Sequence, residues 1–384
     1  MRFIHTSDWH LGRLFHGVHL TEDQAHVLDQ VIALIKEANP DVVFVSGDIY
    51  DRAVPPPEAV TLLDEVLSHI VIGLKVPVIL ITGNHDSPQR LEFGSRLLVQ
   101  QGLYIRGTVS TEVAPIIVPD DTGPVHIYAL PYAEPAVVRQ QLECDTIPDH
   151  DAAMRALVER VWRIHPPGKR AILMAHAFVV GGEACESERP LSVGGAGTVS
   201  ADCLKGFHYV ALGHLHRPQS VGSASINYSG SLLKYSFSEV NHTKSVNLVE
   251  MDAEGHHRAE RISLTSRRDV RCIEGYLANI LKGPQAGESQ EDYVMVRLLD
   301  KGAILDSMGQ VREVYPNALH IERPALIANG EMQGPRLHHR QINEVELFAQ
   351  FFSQVSGDHL TEEQRSSFAS IVNAMHRRER EAVV

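Results

Sequence analysis

Five short polar clusters hold the residue types from which a cation site can be built: Asp8-Trp9-His10, Gly47-Asp48-Ile49-Tyr50-Asp51-Arg52, Gly83-Asn84-His85-Asp86, a single His176, and Gly213-His214-Leu215-His216. Mixed oxygen and imidazole donors favour a borderline ion such as manganese, iron or zinc over calcium. The Asp-x-His and His-x-His spacings put alternate side chains on one side of an extended segment, so each pair can converge. An Asn ligand adds no charge and leaves a bound ion more Lewis acidic. The chemistry that suits such a set is attack on a phosphodiester, whose anionic oxygens repel a nucleophile and whose alkoxide leaves poorly. Two cations roughly 3.5–4 Å apart answer both problems, by making hydroxide at neutral pH and by neutralising the transition state. Such a pair needs a bridging carboxylate, and Asp48, beside a Gly that lets the backbone turn sharply, is the residue placed for it. Taken singly each is weak: a lone His after a strand is more often a hydrogen-bonded loop residue, and GDxxD or GNHD alone fits a turn with an Asx motif. Five in order, each after an expected strand, do not fit that reading.

The elements that would position these clusters follow from hydrophobic period. Residues 1 to 100 alternate strand and helix. Phe3-Ile4 precedes the first polar loop; Thr21 and Gln24 read as a capping box before a helix carrying Val27, Leu28, Val31, Leu34 and Ile35. Val42 to Val45, a helix through Leu62, Leu63, Val66 and Leu67, and Val78 to Ile81 complete a βαβαβ start, which predicts a mostly parallel sheet covered by helices. Ligands bind at the carboxyl ends of strands in such sheets, where the clusters fall. Further apolar runs at Ile116–Val118, Ile127–Leu130, Ile172–Met174 and Tyr209–Leu212 extend the strand count. A four-layer α/β/β/α sandwich accommodates them, although period alone does not select it. Past about residue 265 the texture changes. Strand-like Tyr293–Leu299 and Ala318–Ile321 around a short helix read as a small α+β domain. The expected division is therefore 1–265, 266–333, and 334–384, the last being a polar linker at 334–340 followed by two amphipathic helices.

Composition sets outer bounds. A chain of 384 residues exceeds the usual single domain, and 43% apolar with 22% charged residues is ordinary for a globular protein. The formal charge of −13 argues against coating nucleic acid by bulk electrostatics, yet leaves room for a local basic strip. The 22 histidines are enriched, a weak pointer to metal chemistry. Cys144, Cys185, Cys203 and Cys272 show no CxxC spacing, so neither a disulfide framework nor a thiolate zinc site is suggested. No signal segment or bilayer-length apolar run is seen, which makes the cytoplasm the expected compartment.

The ordered set D-x-H, GDxxD, GNHD, H and GHxH resembles the calcineurin-like metallophosphoesterases. That resemblance implies Asp8, His10, Asp48 and His216 on one metal, and Asp48, Asn84, His176 and His214 on the other. It implies that His85 acts on the leaving group, oriented by the Asp51 carboxylate and kept protonated by it. The opening HTSDWHLGR, the loop GDIYDRAVPPPEAV, the segment from Gly181 to Gly195, and ALGHLHRPQ with YSGSLLKYSFSE are similar to the SbcD family over about residues 1 to 265. One branch of the wider family has His at the position of Asp51, and the bacterial branch has Asp. Membership would imply a metallophosphoesterase sandwich with a small α+β capping domain that guides DNA. It would also imply two divalent ions, manganese in preference to magnesium, iron or zinc. The implied activity is exonuclease and endonuclease action on double-stranded DNA ends and hairpins, in DNA repair, recombination and replication, together with the coiled-coil ATPase SbcC.

Several expectations rest on less. Arg52 is a candidate for substrate phosphate and equally a solvated surface residue. Arg267, Arg268 and Arg271 form a short candidate strip for DNA, again with a solvated surface as the other reading. Leu347, Phe348, Phe351 and Phe352 lie on an apolar stripe expected to bind SbcC, and packing on the chain's own core would select the same pattern. Homodimerisation within a heterotetramer is implied through helices near 58–72 and 90–101, with Leu62, Val66, Leu97 and Leu98 as candidates that core packing would also choose. A phosphatase or nucleotide phosphodiesterase is the alternative enzyme. A binding scaffold is disfavoured, since every expected ligand is present.

Overall fold

The five residues of Val42–Ser46 are all buried, because both faces of the strand they form are covered. The computed structural model describes residues 1–191, 197–301, 304–324, 344–356 and 358–381. These divide into two units, Met1–Asp269 and Val270–Val384.

In the first unit, one six-stranded sheet runs His257–Ser263, Ser245–Met251, Arg2–Thr6, Val42–Ser46, Val78–Ile81, Leu103–Arg106. The last four strands are mutually parallel, and the other two form an antiparallel hairpin at one edge. A second six-stranded sheet runs Gln219–Ser220, Ile226–Tyr228, Tyr209–Gly213, Arg170–His176, Gly123–Ala129, Ile116–Asp120. Its four central strands are parallel. Side-chain alternation builds the layers. Phe3, Phe44, Ile79 and Ile81 from one sheet meet Ile127, Ile172, Met174 and Tyr209 from the other in a shared core. The alternate residues Leu173, Ala175 and Leu212 join Met154, Leu157, Val158 and Val161 of helix His150–Ile164 in the next core. The helices Thr21–Ala38 and Pro57–Ser68, which connect the parallel strands of the first sheet, contribute their own buried stripes. Each fully buried Val, Leu or Ile stabilises this stack by roughly 1.5–3 kcal/mol.

Two expectations change here. The hairpin strand His257–Ser263 is absent from the apolar pattern, because its residues are mostly exposed and charged. As the edge of a sheet, such a strand is protected by charge from pairing with other chains. The Thr21/Gln24 capping box does not form: the helix caps at Leu20 without a side-chain bond, and Gln24 is buried. Its carboxamide serves the first polar loop instead.

The second unit contains a parallel three-stranded sheet of Val270–Gly275, Tyr293–Leu298 and Ala318–Glu322, with helix Ser307–Val314. Val294, Val296, Leu298, Val311 and Tyr315 fill its core. Helices Glu344–Ser356 and Glu362–Glu381 follow. Thr361 and Gln364 form a capping box, with reciprocal bonds of 2.9 and 3.3 Å. The Phe348 ring stacks on Phe368 with centroids 3.8 Å apart, so part of the tail stripe is used between the two helices. Phe351, by contrast, is exposed and Phe352 half-buried. The expected linker at 334–340, Ser192–Gly195 and the Leu347 side chain lie outside the described residues.

Candidate metal centre

All five clusters reach one rim, because the strands that carry them are parallel within their sheets and the two sheets share a core. The first two loops are zipped together by main-chain bonds from Asp8 N to Gly47 O and from His10 N to Asp48 O, each 3.0 Å. Asp8, His10 and Asp48 have φ of 53°, 46° and 49°, and His214 has φ of 108°. Positive φ in non-glycine residues is costly and gathers where function demands it. Two glycines permit the close approach. A Cβ on Gly47, whose φ is +90°, would stand 2.3 Å from His176 Nδ1, and one on Gly83 would stand 2.1 Å from Asp48 Oδ1.

Two groups of donors result. Asp8, His10 and His216 bring one donor atom each within 4.8 Å of one another, and so do Asp48, His176 and His214. Asn84 belongs with the second group, its Oδ1 lying 3.0 Å from His176 Nε2 and 3.1 Å from His214 Nδ1. Asp48 Oδ2 stands between the groups, 3.6 Å from His10 Nε2 and 3.5 Å from His176 Nε2. Apart from half-buried Asn84, every one of these side chains is buried.

The donor set fits divalent cations. His176 Nδ1 lies 3.0 Å from the Ser46 carbonyl, which can only accept, so Nδ1 holds the proton. Its Nε2 therefore turns a lone pair toward Asn84 Oδ1 and Asp48 Oδ2, acceptors facing acceptors. His10 turns Nε2 toward Asp48 Oδ2 and His216 Nε2, at 3.6 and 3.0 Å, and Nδ1 toward Asp51 Oδ1 at 3.6 Å. Burial and the neighbouring imidazoles of His216 and His85 hold His10 well below its usual pKa. Burial likewise lowers His176 against the pull of Asp48, and burial with His176 lowers His214. Neutral imidazoles are the ligating form. Burial and the Asp48 charge push Asp8 well above the usual carboxylate range, a repulsion that a cation between them would relieve.

His85 sits at the edge of this group, its ring 4.7 Å from that of His10 and its Nε2 3.9 Å from Asp48 Oδ2. The expected role of the Asp51 carboxylate is corrected. The atom bonded to His85 Nδ1 is the Asp51 main-chain oxygen, at 2.8 Å. The carboxylate is turned to Arg13, at 2.9 Å, because a guanidinium holds it more strongly than an imidazole would. The Asp51 main chain thus holds His85, while its carboxylate is engaged by Arg13.

The three arginines of the candidate basic strip each face carboxylates. Arg267 pairs with Glu22, Arg268 lies 3.5 Å from Asp23, and Arg271 bonds to Asp292 at 2.7 Å and Glu288 at 3.0 Å. These carboxylates are distant in sequence, and no local pattern displays the pairing. Arg52 is exposed. Of the dimer candidates, Leu62 and Val66 are core residues at 8% and 4% exposure, Leu98 is half-buried, and Leu97 is 81% exposed. Phe93, which the apolar pattern did not single out, is exposed as well.

Residues to which the motifs assigned no role hold the ligands in place. Gln24 Nε2 donates to the Trp9 and His10 carbonyls at 3.2 and 2.7 Å, while its Oε1 accepts from Gly12 N at 3.1 Å, clamping the first loop. Asp86 accepts from the main-chain N–H groups of Ile49, Tyr50 and Gly83 at 3.1, 2.9 and 2.9 Å, tying the second loop to the third. Burial and Asp48 push it up to about 7, against those three donors. Behind His216 lie Ser187, Glu188, Glu239 and Lys244. Glu239 is fully buried; burial opposes its charge, but Lys244 and His216 prevail and hold it well below its usual pKa. Ser187, Glu188 and Glu239 lie in the segments that carry the family resemblance, where no individual role could be read for them.

An α/β/β/α sandwich with Asp, Asn and His ligand candidates gathered at its rim defines a phosphoesterase class, and residues 1–218 match the family described as Calcineurin-like phosphoesterase. Residues 266–356 match the Type 5 capsule protein repressor C-terminal domain of the SbcD group. The chain is 32% identical over 375 residues to a protein of Staphylococcus saprophyticus named as the SbcD component of the nuclease SbcCD, covering 98% of each. The chain belongs to the SbcD family of calcineurin-like phosphoesterases. Among solved structures it is similar to a dimetal phosphatase from Danio rerio, with 13% identity and TM-score 0.42 over 69% of this chain and 99% of that one. It is also similar to a protein of Thermus thermophilus, with 12% identity and TM-score 0.40 over 68% and 98%. Among the described residues no helix is long and apolar enough to cross a membrane.

Proposed function

We propose that this chain is the nuclease subunit of an SbcCD-type complex, hydrolysing phosphodiester bonds at double-stranded DNA ends and hairpins as exonuclease and endonuclease. The observation that carries the reading is the place of Asp48 Oδ2, between His10 Nε2 at 3.6 Å and His176 Nε2 at 3.5 Å, each in its own group of donors. Asp8, His10, Asp48 and His216 would hold one divalent ion, and Asp48, Asn84, His176 and His214 the other. Bound there, the pair would supply Lewis acidity and a nucleophile formed at neutral pH. The mixed donors accept manganese, iron or zinc, and manganese is the ion that the family resemblance implies.

The chain's own residues do the rest. His85, held through Nδ1 by the Asp51 carbonyl, presents Nε2 toward the rim; with both ring nitrogens protonated it would deliver the Nε2 proton to the departing oxygen and keep the Nδ1 proton on the carbonyl. The glycine-permitted turns at 47 and 83 fix the Asp48 carboxylate before substrate arrives, so little reorganisation is left for the reaction. Arg52, exposed next to this rim, is the remaining candidate for substrate phosphate. Exposed Phe351 on the tail helix fits contact with a coiled-coil ATPase, and exposed Leu97 and Phe93 fit pairing of two copies. The small second unit would guide DNA, in the cytoplasm, during repair, recombination and replication.

The test is cleavage of end-labelled hairpin DNA by the purified chain with Mn2+, with and without its ATPase partner, beside hydrolysis of p-nitrophenyl phosphate. Hairpin cleavage supports the reading. Turnover of small phosphoesters alone, with the partner present, would replace it by a phosphatase or nucleotide phosphodiesterase.

A further inference from the structure

We propose that Ser187, Glu239 and Lys244 form a positioning chain that fixes which nitrogen of His216 is presented to a divalent cation; this rests on the metal reading above. Ser187 Oγ is 2.7 Å from His216 Nδ1 and 2.6 Å from Glu239 Oε1. A serine hydroxyl has one proton to give. Glu239 is a buried carboxylate whose Oε2 takes a bond from the Lys244 ammonium and whose Oε1 also accepts from Tyr235 N at 3.0 Å. It can only accept, so the Ser187 proton points to it. A further neighbour of that hydroxyl, Cys185 Sγ at 3.2 Å, is a weak acceptor, and its own S–H goes to Glu188 Oε1 at 3.3 Å. His216 Nδ1 must then be the protonated nitrogen, donating to the serine, and its Nε2 carries the free lone pair.

That nitrogen is the one facing His10 Nε2, at 3.0 Å. The same network holds the main chain of the ligand. Lys244 Nζ donates to the His216 carbonyl and to Ser231 Oγ, each at 2.8 Å, and Glu188 Oε1 accepts from His216 N at 2.6 Å. Ring, tautomer and backbone of one ligand are therefore set by residues contributed from 187 to 244, all of them behind the donor group. The other group is built differently: His176 takes its tautomer from the Ser46 carbonyl directly.

The asymmetry gives the test. Metal-free full-length protein is titrated with Mn2+ by calorimetry, as the parent and as Ser187→Ala, Ser187→Cys and Ser187→Thr, with circular dichroism recorded for each. Loss of an outer hydrogen-bond partner of a ligand costs on the order of 10–100-fold in metal affinity. Ser187→Ala, and Ser187→Cys with its weak acceptor, should each weaken one of two Mn2+ ions by that factor and leave the other within about threefold. Ser187→Thr, which keeps the hydroxyl, should restore the parent isotherm. Two ions bound by the alanine and cysteine variants with parent affinities would overturn the positioning chain while leaving the metal reading intact. Equal weakening in all three variants would also overturn it, by showing that loop packing and not the hydroxyl matters. A parent that binds no Mn2+ removes the metal reading and the chain with it.

Discussion

Replacing Gly83 by Ala isolates the position of the Asp48 carboxylate from its chemistry. The added methyl would stand 2.1 Å from Asp48 Oδ1 and 2.4 Å from Asp48 N. To regain the 3.4 Å at which ordinary contact begins, the oxygen must retreat by about 1.3 Å. The main-chain atom beside it cannot rotate away, and Asp48 Oδ1 is already held by His85 N at 2.9 Å, so the displacement passes to both loops. A misplacement of about 1 Å at a reacting centre costs on the order of 10²-fold in rate. Hydrolysis of bis-p-nitrophenyl phosphate with Mn2+ should therefore fall by about that factor in kcat/KM. Gly275→Ala is the control, since its nearest neighbour outside the adjacent chain is 3.7 Å away, and it should leave the rate unchanged. A Gly83→Ala protein that keeps its activity within about threefold would refute the view that Asp48 is fixed by the turn at 83.

Three more outcomes are expected. His85→Gln should lose about 10²–10⁴-fold in DNA cleavage while binding Mn2+ as the parent does, measured by single-turnover kinetics beside calorimetry; retained cleavage would remove His85 from the leaving group. Gln24→Ala leaves the Trp9 and His10 carbonyls and Gly12 N without their buried partner, at roughly 1–3 kcal/mol for such an orphaned group, and urea unfolding should show a lower midpoint; an unchanged midpoint would mean the clamp is idle. Asp120→Asn removes a carboxylate gripped by Arg170 through two bonds of 2.6 Å, which hold Asp120 well below its ordinary value near 3.8. A depressed folded pKa means stability that is fully present above about pH 4 and is lost as pH falls through the folded value. The parent should thus exceed the variant by about 1.5–3 kcal/mol at pH 6, with the gap closing below pH 4; a gap that widens in acid would contradict the assignment.

The candidate ligands were legible because each lies within a short motif at a strand end, and strand ends can be read from apolar runs. Val42 to Val45 announces Asp48, and Tyr209 to Leu212 announces His214. What surrounds them was not legible, since its partners meet only in the folded chain. Gln24 sits at the spacing of a capping box and is instead drawn under the Asp8 loop, where buried carbonyls need a donor more than an exposed helix end does. Arg267, Arg268 and Arg271 look like a strip for phosphate until Glu22, Asp23 and Asp292 are placed beside them. The tail stripe reads as one surface, yet Phe348 turns inward to Phe368 while Phe351 stays exposed. Period identifies which residues are apolar; only packing decides which of them find partners at home.

The central claim is that one carboxylate is shared by two cations. Crystals grown metal-free and soaked in Mn2+ test it through anomalous scattering at the manganese edge. Two peaks are expected roughly 3.5–4 Å apart, flanking Asp48 Oδ2, one beside Asp8, His10 and His216 and the other beside Asn84, His176 and His214. A rim without peaks, or a single ion that Asp48 does not touch, would contradict it.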